Sequence, residues 1–180
     1  MLHCAVKEGR LLSGRRVFRW VLYFLELIVF YVLQTTPGII PAVSGARPVL
    51  LIPVALTIAI FEGDIGGMVV GIAAGLLIDM GGSDILGFHA ILLAILCFVL
   101  GSMTMQIFRT NLLVALLAAL VVIPLVTVLQ WVFFYILPGY GDLRYVFMSS
   151  ILPKMIYTFA VTPLFYLFNR VIALRLSEAA

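Results

Sequence analysis

Apolar residues fill most of the chain in long runs, which are broken only by short polar or Gly/Pro-rich stretches. Each run between two breaks predicts a membrane-spanning helix, giving spans at residues 17–36, 48–61, 64–80, 85–108, 111–137 and 146–174. The second span is short for a ~30 Å hydrocarbon core. The irregular stretch before it, "QTTPGIIPAVSGARP", is expected to dip back into the outer face of the protein near Arg47.

Composition agrees with this pattern, since 64% of the 180 residues are hydrophobic and only 11% are charged. A soluble domain has roughly 45–50% apolar and about 25% charged residues. We therefore predict an all-α membrane protein, a polytopic bundle of six transmembrane helices. No nucleotide-binding, metal-binding or nucleophile motif accompanies the spans, so the chain is not expected to be an enzyme or to hold a cofactor or metal.

The basic residues cluster at the ends of the apolar runs, which indicates orientation rather than nucleic-acid binding. With both termini cytoplasmic, eight basic residues lie inside and only Arg47 and Arg144 face out. Residues 1–16 then form a basic cytoplasmic leader that binds anionic lipid, residues 17–174 the membrane domain, and residues 175–180 a cytoplasmic tail.

Glycines recur every four residues at Gly63, Gly67, Gly71 and Gly75, and Asp79 continues the spacing. Such a row drifts ~40° per step around an ideal helix, so Gly67, Gly71 and Gly75 form one shallow groove with Asp79 at its outer end. Close packing through small residues holds membrane helices together. The groove is predicted to receive either another span of this chain or the transmembrane helix of a partner.

Polar side chains gather beside the predicted turn after the third span. Asp79 is either a solvated or capping carboxylate or a buried, hydrogen-bonded one, whereas Asp84 is expected to cap the fourth helix. His89 has no second metal ligand nearby and is interpreted as a packing residue that bonds Asp79 or a turn carbonyl.

Two charged residues lie inside predicted spans, where each costs about 2.5–3.5 kcal/mol if unpaired. Counting the helical rise from the span ends places Glu26 and Lys154 at similar depths. The hypothesis is that they form a buried ion pair joining the first and last helices. The alternative is a proton or substrate site.

The run "RPVLLIPVALTIAIFEGDIGGMVVGIAAGLLIDMGGSDILGFHA" resembles the rod shape-determining protein MreD family. In that family an Arg-Pro opens a short span, a glycine-rich span ends in Gly-Leu-x-x-Asp, and a Leu-Gly-x-His-Ala turn follows. The stretch "YTFAVTPLFYLFNRV" looks like the family's last span. The matching positions are Arg47, Pro48, Gly71, Gly75, Leu76, Asp79, Leu86, Gly87, His89 and Ala90.

The resemblance implies a non-enzymatic subunit of the bacterial cell-elongation complex in the cytoplasmic (inner) membrane. It implies as partners a bitopic MreC-like protein and, through it, a RodA-type glycan polymerase, a class B penicillin-binding protein and MreB filaments. The motif positions Arg47, Gly87 and His89 would join the glycine groove as helix-packing residues. The alternative is a substrate-binding component of an energy-coupling-factor-type transporter, because buried charges and a short broken span also make substrate sites.

Overall fold

The computed structural model describes residues 2–38, 47–81, 86–106, 112–137 and 143–177. This part of the chain is helical and contains no β-strand. A π-helical segment, Val132–Ile136, continues the fourth helix, and a second one, Phe147–Ile151, joins the fifth helix to the sixth. The helices are α1 (Leu2–Thr35), α2 (Leu51–Met80), α3 (Phe88–Gln106), α4 (Leu112–Trp131), α5 (Leu143–Val146) and α6 (Leu152–Ser177).

The described helices have the length and apolar character of a membrane protein. Four stretches are long and apolar enough to cross a bilayer, and the apolar part of α3, Phe88–Thr104, is shorter. The four long stretches are Val17–Thr35, Leu51–Met80, Leu112–Ile136 and Phe147–Arg175. The protein is therefore an all-helical membrane protein with four to five apolar helices that could span a membrane.

Helix α2 is not one straight rod, because the chain leaves helical geometry at Gly63. This residue has φ +82° and ψ −161°, a conformation that favours glycine. Before Gly63, α2 runs antiparallel to α1: Arg19 pairs with Glu62, and Gln34 Oε1 accepts a hydrogen bond of 2.9 Å from the Leu50 N–H.

After Gly63, α2 runs in the same direction as α1. A Cβ placed on Gly66 would lie 3.7 Å from the Trp20 ring, and one on Gly81 would lie 3.4 Å from the Tyr31 ring. The two arms of α2 are therefore antiparallel to each other and form a helical hairpin. The two arms lie in the regions of the second and third predicted spans, residues 48–61 and 64–80.

The first arm of α2 lies at the centre of the bundle. Every side chain from Leu51 to Ile60 is buried, and Leu51, Val54 and Ile58 have no exposed surface. Helices α1, α3, α4 and α6 all contact α2. A helix that is apolar on all sides is stable only when neighbours surround it, and this arm is apolar on all sides.

We call the two ends of the bundle the Gly63 end and the Arg47 end. The Gly63 end contains the hairpin bend and the Arg19–Glu62 ion pair, and the Arg47 end contains the start of α2 and the second-arm terminus at Met80. Residues 39–46 in the middle of the predicted dip, and Asp84 with its predicted capping role, lie outside the described residues.

Candidate functional site

Helix α3 fills the glycine groove of the second α2 arm. A Cβ on Gly67 would lie 2.9 Å from the Cys97 carbonyl oxygen, and one on Gly71 would lie 2.6 Å from that of Leu93. A Cβ on Gly75 would overlap the backbone of Ala90. The backbones of the two helices touch because these positions have no side chain. The groove is thus occupied within this chain and is closed to a partner helix.

The same contact continues at the bend of the hairpin. A Cβ on Gly101 would overlap the Gly63 carbonyl group, and one on Gly67 would lie 2.8 Å from the Cβ of Ala59 in the first arm. Gly101 is a packing residue that the four-residue spacing does not identify, because it lies alone on the facing helix. The first arm, the second arm and α3 are thereby packed as one layer.

The Asp79 carboxylate caps the first turn of α3. Its Oδ2 accepts hydrogen bonds from the backbone N–H groups of Gly87 at 2.9 Å and Ala90 at 3.3 Å, and its Oδ1 accepts one from the His89 N–H at 3.3 Å. The first N–H groups of a helix have no partner within that helix, so a carboxylate from another helix satisfies them. Gly87 has φ +94°, which explains the glycine in the Leu-Gly-x-His-Ala turn.

His89 extends this cap toward the interior of the Arg47 end. Its ring Nδ1 lies 2.7 Å from Asp79 Oδ1, and both side chains are almost completely buried. Gln130 of α4 lies beside the same ring, and Gln130 Oε1 accepts a hydrogen bond of 3.2 Å from Lys154 Nζ on α6. A polar chain from Asp79 to Lys154 therefore links α2, α3, α4 and α6.

The polar chain ends at a cavity of about 190 Å³, which we call the polar pocket. Arg47 and Lys154 both contribute to its wall, and the indole N–H of Trp131 is buried without an acceptor among the described residues. Within the described part of the chain, neither cation contacts a carboxylate. The residues that line the polar pocket include Arg47, Thr127, Gln130, Trp131, Ser150 and Lys154.

The structure corrects the hypothesis of a Glu26–Lys154 ion pair. Glu26 Oε1 accepts a hydrogen bond of 3.1 Å from Asn169 Nδ2, which also donates to Thr57 Oγ1 at 2.9 Å. Asn169 follows Lys154 by about 22 Å along α6, so Glu26 lies far from Lys154. The depth count fails because it assumes a last helix that just spans a ~30 Å core, whereas the helical stretch from Leu143 to Ser177 is roughly 50 Å long.

Two further contacts escape the sequence reading. Arg19 and Glu62 form a two-contact ion pair of 2.7 Å and 3.0 Å at the Gly63 end, where the glutamate side chain is 6% exposed. Asn169 is fully buried in α6. An uncharged polar residue inside an apolar run signals an interhelical hydrogen bond, and that rule could have singled out Asn169.

The described residues of the site interact by backbone packing and hydrogen bonding. Among the side chains that the structure describes, no three His, Cys, Asp or Glu residues gather in a group that could hold a metal ion. The Cys97 thiol is buried in the contact between α2 and α3.

Comparison with known protein families gives a match to the sequence of this chain. The model of the family described as rod shape-determining protein MreD matches residues 14–173, nearly the whole chain. That family consists of membrane proteins of rod-shape determination. No curated protein and no solved structure matches the chain.

Proposed function

Because the chain belongs to the rod shape-determining protein MreD family, we propose that it is a non-enzymatic, multi-pass subunit of the bacterial cell-elongation complex in the cytoplasmic (inner) membrane. It holds its partners by helix packing. Its direct partner is a bitopic MreC-like protein, and through that protein it meets a RodA-type glycan polymerase, a class B penicillin-binding protein and MreB filaments.

The observation that carries this proposal is the filling of the glycine groove by α3. Two polar residues of the family motif, Asp79 and His89, are likewise occupied in holding α3 in place. The motif therefore builds a rigid body and leaves no reactive group exposed along the groove. A partner helix docks on the lipid-facing surface of the bundle, where only 17% of the apolar stretch of α1, Val17–Thr35, is buried.

The hairpin at Gly63 supports six membrane crossings with both termini cytoplasmic. Its two arms count as separate crossings, and α1, α3, α4 and the α5–α6 rod supply the other four. The excess of Lys and Arg in the amino-terminal leader then places the Gly63 end inside and the Arg47 end outside.

Cysteine labelling tests this topology. In a variant with Cys4 and Cys97 replaced, a cysteine at Asp64 should react only from the cytoplasmic side, and one at Gly81 only from the outer side. Labelling of both positions from the same side would remove the six-crossing topology.

Affinity capture of the tagged protein from its native membrane tests the scaffold role. Recovery of a bitopic coiled-coil protein together with a glycan polymerase is the expected result. A photo-crosslinking residue at the lipid-facing Phe24 or Ile95 should reach a partner, whereas one at the buried Ala74 should reach only this chain. The scaffold role would be refuted if the tagged protein captured neither of these proteins and no exposed helix crosslinked to a partner.

One observation favours the transporter alternative, namely the polar pocket with its two cations, because a substrate site needs convergent polar groups. The same capture experiment separates the two functions. Recovery of ATPase subunits in place of the coiled-coil protein would establish a substrate-binding component of an energy-coupling-factor-type transporter.

A further inference from the structure

The polar pocket at the Arg47 end has the charge of an anion-binding site. Lys154 Nζ has three N–H donors and directs one of them to Gln130. Arg47 lines the same pocket, and Trp131 supplies a buried N–H that lacks an acceptor in the described part of the chain. Ionisable side chains inside a membrane domain are costly and mark functional sites.

The described carboxylate at the far end of the polar chain, Asp79, does not contact these cations. Asp79 is separated from Lys154 by His89 and Gln130, and its two oxygens receive hydrogen bonds from the start of α3. An anionic ligand in the polar pocket would therefore find donors that the described residues leave available.

The backbone around the polar pocket is also unusual. Both π-helical segments border it, since Tyr135 belongs to Val132–Ile136, and Ser150 and Ile151 belong to Phe147–Ile151. The Trp131 and Phe147 rings at the two segments meet with their centroids 5.2 Å apart. Single π-helical turns inside α-helices occur frequently at functional sites.

An apolar groove of about 420 Å³ begins beside the polar pocket. Pro48 lines the apolar groove while its neighbour Arg47 lines the polar pocket. Along α6 the lining passes from Lys154 to Tyr157 one turn deeper, and then to Val161 and Phe165. Tyr157, Val161 and Phe165 each lie within about 60° of Lys154 on a helical projection, so one face of α6 serves both spaces.

The size of the two spaces fits a ligand with a small charged head and a hydrocarbon tail. The polar pocket alone is smaller than the ~300–1,000 Å³ of usual ligand sites, but with the apolar groove it falls within that range. Arg and Lys side chains at a membrane surface bind phosphate head groups through charge and hydrogen bonds.

We propose that the Arg47 end binds an amphiphile with a phosphate head group, which enters the polar pocket between Arg47 and Lys154 while its hydrocarbon tail lies in the apolar groove along α6. The site is separate from the glycine interface, and its apolar groove is also lined by Phe30 and Leu33 of α1. Two sources carry this chemistry, a glycerophospholipid and an isoprenoid phosphate.

Displacement of a fluorescent phosphatidylglycerol from the purified full chain in detergent tests the proposal. Dioleoyl phosphatidic acid should displace the probe at about one tenth of the concentration that dioleoylglycerol needs or less, because the two ligands share their tails and differ by the phosphate. Undecaprenyl phosphate forms the second arm, and whichever phosphate ester displaces the probe at lower concentration identifies the source. Equal displacement by phosphatidic acid and dioleoylglycerol would overturn the proposal.

Two double variants test whether the phosphate head group binds at the polar pocket. Arg47→Gln combined with Lys154→Gln should weaken phosphatidic acid binding about tenfold or more, whereas Arg170→Gln combined with Arg175→Gln removes the same charge from exposed positions and should change it less than twofold. Equal losses in the two double variants would refute the site.

A further pair of variants tests whether the hydrocarbon tail of the ligand lies in the apolar groove. Val161→Phe narrows the apolar groove and should weaken binding several-fold, whereas Leu167→Phe changes an exposed position outside the groove and should not. Inorganic phosphate that competes as well as either amphiphile would refute the role of the groove. The comparison of ligands on the unmodified chain decides the proposal even if a variant does not fold.

Discussion

Replacement of Asp79 by asparagine should destabilise the bundle strongly. Each carboxylate oxygen accepts from two described donors: Oδ1 from the N–H and the ring of His89, and Oδ2 from the N–H groups of Gly87 and Ala90. Asparagine keeps one oxygen and turns an NH₂ group toward the other pair of donors. Two hydrogen bonds to a charged acceptor are lost at about 1.5–3 kcal/mol each, so we expect a loss of roughly 3–6 kcal/mol.

The matched control is Asp64→Asn, which makes the same chemical change at the other end of the same arm. The Asp64 carboxylate accepts a hydrogen bond of 2.7 Å from its exposed neighbour Ile65, so its replacement should change stability by about 0.5 kcal/mol or less. The unfolding free energy of each variant, measured by steric trapping in detergent, gives the comparison. If Asp79→Asn were within 1 kcal/mol of the control, the inter-helix cap would not be a major contact.

Three further predictions concern helix packing. Gly71→Ala should lower stability by about 1–3 kcal/mol in thermal unfolding, because its Cβ would press on the Leu93 carbonyl. Gly81→Ala, at the end of the same helix, should not lower it. A stabilised Gly71→Ala variant would contradict the backbone contact. Exchange of the charges of Arg19 and Glu62 should restore part of the stability lost in each single reversal, with a coupling of about 1 kcal/mol in a double-mutant cycle, and purely additive losses would argue against the pair. Asn169→Ala should reduce the folded yield in size-exclusion profiles, because two buried acceptors lose their donor, and an unchanged yield would count against this contact.

Much of the fold can be read from the amino-acid pattern because the bilayer imposes simple rules on it. Long apolar runs must be helical, since a membrane offers backbone groups no other partner. The four-residue spacing from Gly67 to Gly75 also locates a face without side chains, where another helix can come close. These features belong to one segment at a time, so local sequence is enough to identify them.

Only the tertiary structure decided which helices and side chains contact one another. The glycine spacing is a property of one helix and does not say that α3 fills the groove. Likewise, the sequence shows that Glu26 and Lys154 are charged residues inside apolar runs. Their relative depth depends on how far the last helix extends, and the structure places Asn169 rather than Lys154 beside Glu26. Hydropathy determines which residues leave water, whereas the packing of helices with different lengths and bends determines which of them meet.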